Sequence, residues 1–415
     1  MNDVNKPALR FEGFEEDWEK FMLSELFIKS GSGGTPKSNN KEYYNGHIPF
    51  LSISDISNSN GYINTTEKTI TEKGLNNSAA WVVPSGSISL AMYASVGKLA
   101  ILNIDAATSQ AFYNMVFDDN NLRNYVYHRL SKSEIFGEWN KLISTGTQSN
   151  LNANKVKSFE LFIPISKKEI ENISLLFTKL DKIITLKQEE VRLLKEQKSG
   201  LLQKMFPKDG EDEPELRFED FTGTWEQLEL GEITNKIGSG KTPRGGNEVY
   251  LSDGVPLLRS QNIYSDKVNL EDIVFISEEI NNTMKNSTVK KNDILLNITG
   301  ASIGRSAVYS YSEGANVNQH VCIIRPKNNI SSNFIQLNLT SRKGQNQIDM
   351  NQAGGGREGL NFQQISKFKF KYPEIKEQTK IGNFFKQLDD TITLQEQQLE
   401  KLKEMKKGYL QQMFI

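Results

Sequence analysis

The chain has 415 residues, a formal net charge of −1 and a charged fraction of 24%. This length is too great for one ordinary domain and predicts two or three, and the near-zero charge excludes a strongly basic nucleic-acid coat protein while leaving local basic patches possible. One cysteine, Cys322, excludes an internal disulfide, and three histidines leave no zinc-binding spacing. Because neither a signal peptide nor a run of about 18 apolar residues is found, the sequence predicts a soluble, cytoplasmic protein without a membrane partner.

The opening segment of the chain is repeated later. The sequence "ALRFEGFEEDW", ending at Trp18, recurs as "ELRFEDFTGTW", ending at Trp225, a displacement of 225 − 18 = 207 positions. Gln110 and Gln319 also match, at 319 − 110 = 209, so small loop insertions have accumulated between them. The closing segments "GLLQKMF" and "GYLQQMF" correspond as well. We interpret the chain as one unit of about 200 residues, duplicated and diverged.

Each copy begins with short β-branched and aromatic runs, such as "HIPFLSI" and "DILLNIT", which are separated by Asn, Gly and Ser clusters. These runs predict β-rich globular domains over residues 1–165 and 215–373, with some helix, for instance near 121–132. The polar segment "PKDGEDEP", residues 207–214, is the predicted linker between the copies. The predicted fold class is therefore α/β, of the α+β kind.

Each copy ends with a predicted long helix, over residues 166–206 and 374–415. Ser166, with Glu169 three positions on, is a capping-box signature. The apolar residues that follow recur at spacings of three and four, as in a coiled coil, and a helix of about 40 residues spans about 60 Å, longer than most globular helices. Either each helix packs on its own globular domain or the two pack on each other, and their matched patterns favour an antiparallel coiled coil that separates the two domains about a pseudo-twofold axis. The predicted interface residues are Phe177, Leu180, Ile184, Val191, Leu194, Leu201, Phe385, Leu388, Ile392, Leu399, Leu402 and Tyr409.

The stretch "NKIGSGKTPRGG" looks like a nucleotide-binding loop at its centre, "GSGKT". Such a loop needs a glycine where Asn235 lies, and Pro243, directly after Thr242, disfavours the helix that should follow. The first copy has Gly34 in place of the phosphate-binding Lys241. We therefore interpret the stretch as half of a repeated turn. Since no methyltransferase, metalloprotease or hydrolase motif is found either, we predict a non-catalytic chain that binds no metal.

Three sets of polar loops recur in both copies. The first is Gly-Ser-Gly-x-Thr-Pro followed by Lys or Arg, the second is Ser-Val/Ile-Gly followed by Lys or Arg, and the third is rich in Thr, Gln, Asn and Arg. Glycine permits close approach to a phosphate, hydroxyl and cationic side chains supply donors, and Arg, Asn and Gln can bond base edges. The alternative is that these are ordinary hairpins with solvated side chains. The candidate DNA-binding residues are Ser32, Gly33, Thr35, Lys37, Tyr93, Ser95, Lys98, Gln110, Thr147, Gln148 and Asn150 in the first copy, and Ser239, Thr242, Arg244, Arg259, Gln261, Asn262, Thr299, Ser302, Arg305, Asn318, Gln319, Arg357 and Asn361 in the second.

The Leu-Arg-Phe openings, the Gly-Ser-Gly-x-Thr-Pro loops, the Ser-Val/Ile-Gly turns and the two long helices ending in Leu-Gln-x-Met-Phe together resemble the DNA specificity subunit of type I restriction-modification enzymes. The match covers essentially the whole chain. The resemblance implies two target recognition domains, residues 1–165 and 215–373, each reading half of a bipartite DNA target. It also implies double-stranded DNA, two modification (methyltransferase) subunits and restriction (motor-nuclease) subunits as partners. S-adenosylmethionine, ATP and Mg would be used by those partners, and this chain would hold no cofactor.

Two domains related by a pseudo-twofold axis are expected to contact major-groove segments about one helical turn, roughly 10 base pairs, apart. Since the copies differ most in their loops, the two half-sites should differ, which gives an asymmetric target. Two alternatives stay open: a single-chain nuclease or methyltransferase with unrecognised motifs, and a coiled-coil scaffold whose duplicated domains bind protein or carbohydrate. DNA binding should weaken steeply with rising salt, whereas scaffold binding need not.

Overall fold

The computed structural model describes residues 5–142, 150–352 and 359–415. The chain divides into two compact units, residues 1–190 with 396–415, and residues 191–395. Each unit contains the strands of one sequence copy and a segment of each long helix. Among the described residues, no helix combines the length and the apolar character needed to cross a membrane.

The described residues of the first unit form three β-sheets. Its strands are β1 (Glu19–Met22), β2 (Lys29–Ser32), β3 (Tyr44–Leu51), β4 (Tyr62–Ile63), β5 (Lys68–Ile70), β6 (Val82–Val83), β7 (Ile88–Ala91), β8 (Leu99–Leu102), β9 (Ala106–Thr108), β10 (Phe112–Val116) and β11 (Glu160–Ile163). The sheet orders are β1-β11, β2-β10-β7-β8-β4 and β5-β3-β9-β6. The α-helices are α1 (Ile53–Asn58), α2 (Glu72–Asn76), α3 (Asn120–Ile135), α4 (Ala153–Lys157) and the first part of α5 (Lys167–Lys204).

The second unit repeats this plan. Its strands are β12 (Glu226–Glu229), β13 (Thr234–Ser239), β14 (Val255–Leu258), β15 (Val274–Ile276), β16 (Thr288–Val289), β17 (Ile294–Asn297), β18 (Ser306–Val308), β19 (Ala315–Val317), β20 (Val321–Pro326) and β21 (Lys369–Tyr372). The sheet orders are β12-β21, β13-β20-β17-β18 and β15-β14-β19-β16. The helices are α6 (Glu278–Thr283), α7 (Ser332–Thr340), α8 (Arg342–Gln352), α9 (Phe362–Ser366) and α10 (Ile375–Met413), whose last part belongs to the first unit.

The strand pairing confirms the duplication. In each four-stranded sheet that contains β3 or β14, one parallel pair lies between antiparallel pairs. Phe50 of β3 lies opposite Ala107 of β9, and Leu257 of β14 lies opposite Asn316 of β19. The predicted mixed fold, with β-rich modules and long helices, is therefore confirmed.

The repeated Leu-Arg-Phe opening anchors each copy to its own helix. Arg10 Nε donates to the buried carboxylate of Glu169 at 2.6 Å, and Arg217 Nε donates to Glu377 at 2.7 Å. Both carboxylate oxygens of Glu169 accept hydrogen bonds from Arg10. Glu169, which the sequence assigns to a capping box with Ser166, therefore also binds the opening segment. The motif's arginine is thus a structural residue, because a buried carboxylate needs a charged partner.

The same arrangement of three aromatic rings occurs in the core of each unit. Tyr125 packs against Trp18, with 5.9 Å between ring centroids, and against Phe414 at 5.1 Å. In the second unit Phe334 packs in the same way against Trp225 at 5.6 Å and Phe206 at 5.2 Å. Tyr125 and Phe334 are therefore equivalent, at a displacement of 334 − 125 = 209 positions.

The helix segments run antiparallel within each unit, as predicted. In the first unit Phe177 lies 5.4 Å from Phe414 between ring centroids, while Asp181, further along α5, pairs with Lys406, earlier in α10. In the second unit Lys198 Nζ lies 2.6 Å from Asp389 Oδ1, and Met205 shares a core with Ile381. The predicted interface residues are all buried or half-buried, namely Phe177, Leu180, Ile184, Val191, Leu194, Leu201, Phe385, Leu388, Ile392, Leu399, Leu402 and Tyr409.

Two half-buried lysines, Lys198 of α5 and Lys406 of α10, occupy equivalent positions and form ion pairs. Lys198 Nζ contacts both Asp389 Oδ1 and Asp266 Oδ2 at 2.6 Å, and its counterpart Lys406 contacts Asp181. Burial, with the nearby Asp266 charge, raises the pKa of Asp389 to about 6. These ion pairs connect the two helices, because a largely buried ammonium group is stable only when it is paired with a carboxylate.

Candidate nucleic-acid interface

The first pair of repeated loops lies against a strand end through glycine. A Cβ atom on Gly33 would lie 1.8 Å from the Thr108 carbonyl oxygen, and one on Gly240 would lie 1.6 Å from that of Val317. No side chain fits at either position. Gly34 N also donates to Thr108 O at 3.0 Å, so the loop is held by backbone contacts beside β9. The glycine that the sequence assigns to phosphate approach therefore has a packing role in both copies.

A threonine and a glutamine that the sequence predicts for the site are brought together in both units. Thr35 Oγ1 donates to Gln110 Oε1 at 2.7 Å, and Thr242 donates to Gln319 in the same way. All four side chains are exposed. The threonine contact orients each amide, whose remaining donor and acceptor positions can bond base or phosphate groups.

A backbone junction connects this pair to the other predicted loops of the first unit. Met92 N donates to Ala111 O at 2.8 Å, and Met92 O accepts from Leu151 N at 3.0 Å. Tyr93, Gln110 and Asn150 are the chain neighbours of these residues. Three segments that are far apart in sequence therefore meet at one place.

The same junction exists in the second unit. Ile298 N donates to His320 O at 3.0 Å, and Ile298 O accepts from Leu360 N at 2.9 Å. Thr299, Gln319 and Asn361 are the chain neighbours. We call the exposed face formed by loops 32–37, 93–98, 109–111 and 150 the first polar edge. The second polar edge comprises loops 239–244, 259–262, 299–305, 318–320 and 359–361.

The second repeated loop is a tight turn that ends on a cation. Lys98 N donates to Ser95 O at 3.1 Å, and Arg305 N donates to Ser302 O at 3.2 Å. Each turn is closed by a glycine with positive φ, 89° at Gly97 and 85° at Gly304. Lys98 is half-buried and Arg305 is exposed. The equivalent turns thus place one cation each at equivalent positions.

Some predicted residues have their polar groups bonded within the protein. Asn262 is buried, where its Oδ1 accepts from Arg259 N at 3.0 Å and its Nδ2 donates to Asn269 O at 3.1 Å. Asn318 is also buried, and its Oδ1 accepts from His320 N at 3.0 Å. Asn262 and Asn318 therefore shape the second polar edge from beneath.

Two further residues have a structural role besides their exposure. Asn361 caps α9 by accepting a hydrogen bond from Gln364 N at 2.9 Å. Arg259 Nη2 donates to Asp272 O at 3.0 Å, and its guanidinium lies 5.7 Å from the centre of the Tyr250 ring. Arg259 is thereby held in one orientation at the rim of the edge.

The remaining predicted residues differ in their exposure to solvent. Within the described residues, Lys37, Tyr93, Ser95, Arg244 and Gln261 are exposed, while Ser32, Asn150, Ser239, Thr299 and Ser302 are half-buried. Thr147, Gln148 and Arg357 lie outside the described residues.

One residue of the second edge was missed by sequence reasoning. His320 Nδ1 lies 2.6 Å from Thr299 Oγ1, and its Nε2 lies 3.2 Å from Gln319 Nε2. The ring thus connects two predicted residues into one hydrogen-bonded row that starts at Thr242. The signal was present in the aligned copies, where "SQAF" in the first becomes "NQHV" in the second, so that His320 replaces Ala111.

The structure shows the surroundings of the stretch after Thr242, of Cys322 and of the side chains that could bind a metal. After Thr242 no α-helix follows, since the next element is a short 3₁₀-helix at Gly246–Val249. Cys322 is buried, and burial raises the pKa of its thiol to about 12. Within residues 5–142, 150–352 and 359–415, no three His, Cys, Asp or Glu side chains form a metal-binding group.

Two units with closely similar sheet orders and equivalent polar edges define a protein built by internal duplication. A family model described as the type I restriction modification DNA specificity domain matches residues 15–196 and again residues 222–404. The chain belongs to this family and carries two such domains, and its function is that of a type I restriction-modification specificity subunit.

Relatives agree with this assignment. The type I restriction enzyme MjaIX specificity subunit of Methanocaldococcus jannaschii is 27% identical over 303 residues, which are 71% of this chain and 68% of that protein. The MjaVIII specificity subunit of the same organism is 23% identical over 404 residues, covering 94% of this chain and 91% of the relative. Both similarities run through both copies.

A solved structure has the same fold. The S subunit of a type I restriction-modification system from M. genitalium matches with a TM-score of 0.67 and 16% identity, covering 99% of each chain. A further type I restriction-modification structure matches with a TM-score of 0.54 and 14% identity over 96% of this chain. These likenesses show that the architecture is shared.

Proposed function

We propose that this chain gives a type I restriction-modification complex its sequence specificity by binding double-stranded DNA through its two polar edges. The main support for this proposal is the repeated backbone junction at Met92 and Ile298, which brings equivalent loop segments together in each unit. The junction is the same in both copies, whereas the side chains around it differ. Two domains that recognise different DNA sequences require this combination. Residues 1–165 and 215–373 would be the target recognition domains, residues 166–206 and 374–415 the spacer helices, and residues 207–214 the linker.

Contacts to phosphate and contacts to bases would be divided among the side chains of each edge. Lys37 and Lys98 in the first edge, and Arg244 and Arg305 in the second, supply cations for the phosphate backbone. Gln110 and Gln319, each fixed by a threonine, would read base edges because an oriented amide discriminates among donor and acceptor patterns.

The two edges are chemically different, which supports an asymmetric bipartite target. The second edge carries His320 where the first has Ala111. It also includes Arg259, whose equivalent in the first unit is Ser52, outside the first polar edge. Ser52 caps α1 through hydrogen bonds with Asp55, whereas Arg259 points its guanidinium to a carbonyl at the rim. The half-site read by the second edge would therefore present different acceptors.

An exposed apolar face on the first part of α5 supports docking of a modification subunit. Leu175, Ile183 and Leu186 lie on one side of the helix and are 49%, 47% and 60% exposed. Exposed apolar patches of this kind typically mark protein interfaces. The matching α10 positions are Asn383, Thr391 and Leu394, so two modification subunits would meet faces of unequal polarity.

In this proposal the chain itself is non-catalytic and cytoplasmic. Two modification subunits would supply adenine methylation with S-adenosylmethionine, and restriction subunits would supply ATP- and Mg-dependent cleavage. Methylation of a base in duplex DNA requires flipping it out of the helix. This chain would recognise the target sequence and hold the DNA during that step.

Binding assays with the assembled chain and its modification subunits test the proposal. Affinity for target DNA should exceed that for scrambled DNA and should fall steeply as salt rises, as phosphate-dependent binding does. Gln110→Ala should remove about 1–3 kcal/mol of discrimination in one half-site, and Gln319→Ala the same in the other. Gln227→Ala, an exposed glutamine of β12, is the matched control. Full discrimination in both variants would refute the assignment of the edges.

A further inference from the structure

A cavity of about 640 Å³ lies in the second unit, and its lining residues are different from those of the second polar edge. It is formed where the last turns of α5 and the residues after them meet the beginning of α8. Its volume falls within the range of about 300–1,000 Å³ typical of small-molecule sites. The function proposed above makes no use of it.

The lining of the cavity is strongly cationic. Lys208, Arg342, Lys343 and Lys371 all line it, against a single carboxylate, Asp209. The four cations cannot be neutralised by Asp209 alone. Such an excess of positive charge in a concave site favours an anionic ligand.

Ion pairs partly neutralise three of these cations, and Arg342 keeps its positive charge available in the cavity. Lys371 pairs with Asp212, which does not line the cavity. Lys343 Nζ lies 3.5 Å from the largely exposed Asp209, and Lys208 Nζ lies 3.1 Å from Glu215, which does not line the cavity. Arg342 is exposed and makes no ion pair or hydrogen bond with any residue in the described ranges. Its guanidinium can therefore bind a ligand oxygen bidentately.

Neutral donors and apolar atoms complete the lining. Asn346 contributes a side-chain amide to the lining, whereas the side chains of Thr340 and Asn338 donate to backbone carbonyls of α7. The helix α8, which has 11 residues, begins at Arg342 beside the cavity, and the partial positive charge of its N-terminus adds to that of the cations. Leu202 and Phe206 form an apolar part of the wall. The cavity thus combines a polar part suited to phosphate oxygens and an apolar part suited to a flat or aliphatic group.

The shared fold does not require these cations. Since Tyr125 and Phe334 are equivalent at 209 positions, Arg342 corresponds to Ser133 and Lys343 to Glu134 in the first unit. At the same displacement Lys371 corresponds to Phe162. Ser133 is buried and donates to Glu138 at 2.7 Å. The first unit thus has no cation at these three positions. Its cations lie instead at Arg129 and Lys132, where the second unit has Asn338 and Ser341, and they contact Glu138 and the Phe414 carbonyl oxygen.

We propose that this cavity binds a phosphorylated anion of nucleotide size. Arg342 and Lys343 bind the phosphate groups at the start of α8, and Lys208 and Lys371 add positive charge nearby. The non-phosphate part of the ligand lies against Leu202 and Phe206. The inference goes beyond DNA recognition, because a concave site with an apolar wall suits a free small molecule.

Calorimetric titration of the full-length chain with pyrophosphate, ADP and adenosine tests this inference. Pyrophosphate and ADP should bind and uncharged adenosine should not. The double variant Arg342→Ser/Lys343→Glu, which copies the first unit, should weaken both affinities at least about tenfold, because two charge-assisted contacts are lost. Arg342→Lys/Lys343→Arg should retain binding.

A charge-matched control is Lys285→Ser/Lys291→Glu, which changes two exposed lysines of the same unit by the same total charge and should leave the affinities unchanged. Circular dichroism confirms that each variant is folded. No binding of ADP or pyrophosphate at millimolar concentration would overturn the proposal, as would equal affinities in wild type and Arg342→Ser/Lys343→Glu. If that variant instead loses affinity only for duplex DNA in the assembled complex, the cations belong to a DNA path and the small-ligand site is refuted.

Discussion

Lys98 and Arg305 occupy the same position in two repeated turns, and their equivalence makes them phosphate-binding candidates. Lys98→Ala and Arg305→Ala should each weaken binding to every DNA sequence similarly and reduce the slope of log affinity against log salt by about 1, since one phosphate contact is lost. Fluorescence anisotropy on target and scrambled duplexes across a salt series measures both effects. A loss confined to one sequence would show that the cation reads a base instead.

His128 lies fully buried in the first unit, and neither ring nitrogen has a hydrogen-bond partner among the described residues. Burial, aided by the nearby Lys406 charge, lowers the pKa of this ring well below its usual value. The native state therefore holds a neutral ring, while the unfolded chain takes up a proton near pH 6.5. Stability contributed by the neutral ring is present above that pH and is lost as the pH falls below it.

Replacing His128 by leucine should therefore stabilise the first unit. The second unit has buried Leu337 at the equivalent place, 337 − 128 = 209 positions on. His128→Leu should raise the free energy of unfolding by about 1–2 kcal/mol at pH 7, because two unpaired buried polar atoms are removed. It should also flatten the loss of stability between about pH 6.5 and pH 5. Chemical denaturation at several pH values measures both, and a destabilised variant would contradict this account.

At the scale of elements, the long helices are held by leucines on their facing sides. Leu180 is buried in the first unit and Leu388 is half-buried in the second. Leu180→Glu combined with Leu388→Glu should break the helix pairing in both units, because each change buries a charge without a partner. Circular dichroism melting and a sizing column should show a lower transition and failure to assemble with the modification subunits.

A single substitution on the exposed side of α5 provides the matched control. Leu186 is 60% exposed, so Leu186→Glu should alter stability by no more than about 0.5 kcal/mol. If Leu175, Ile183 and Leu186 form the docking face, this variant should still weaken assembly. An unaltered complex in Leu186→Glu would remove the docking proposal while leaving the helix pairing intact.

The duplicated plan determines what should happen when one copy is exchanged at the scale of the molecule. Replacing residues 1–165 with those of another specificity subunit should change one half of the methylated sequence and leave the other half as it was. The reason is that the loops of each polar edge are held by contacts within their own unit. Mapping methylated adenines in cells that carry either version measures the outcome, and an unchanged target would refute the domain assignment.

Much of the fold follows from the sequence because it depends on local or periodic features. The duplication is visible in matched segments, and the apolar residues of α5 and α10 recur at helical spacing, so the helices and their antiparallel pairing were predicted correctly. The capping assignment of Glu169 was incomplete, because a buried salt bridge to Arg10, 159 positions away, is a long-range contact without a local signal.

The candidate site was predictable in part. Thr35 and Gln110 were selected separately for their chemistry and their recurrence, and the structure places them in contact. Neither the burial of Asn262 nor the contribution of His320 could be inferred, since an asparagine in a polar loop has the same local sequence whether its amide faces solvent or a backbone carbonyl.

The sequence by itself determined that the protein has two copies of one β-rich module, two long helices and three repeated polar loops, because repetition and apolar periodicity are properties of the chain. Only the tertiary structure decided that these loops meet at Met92 and Ile298, and that Arg342 and Lys343 line a cavity together with Lys208 and Lys371. The physical reason is that such meetings depend on backbone hydrogen bonds and packing between residues distant in the chain. Those contacts form only once the sheets and helices of each unit have packed around its own core.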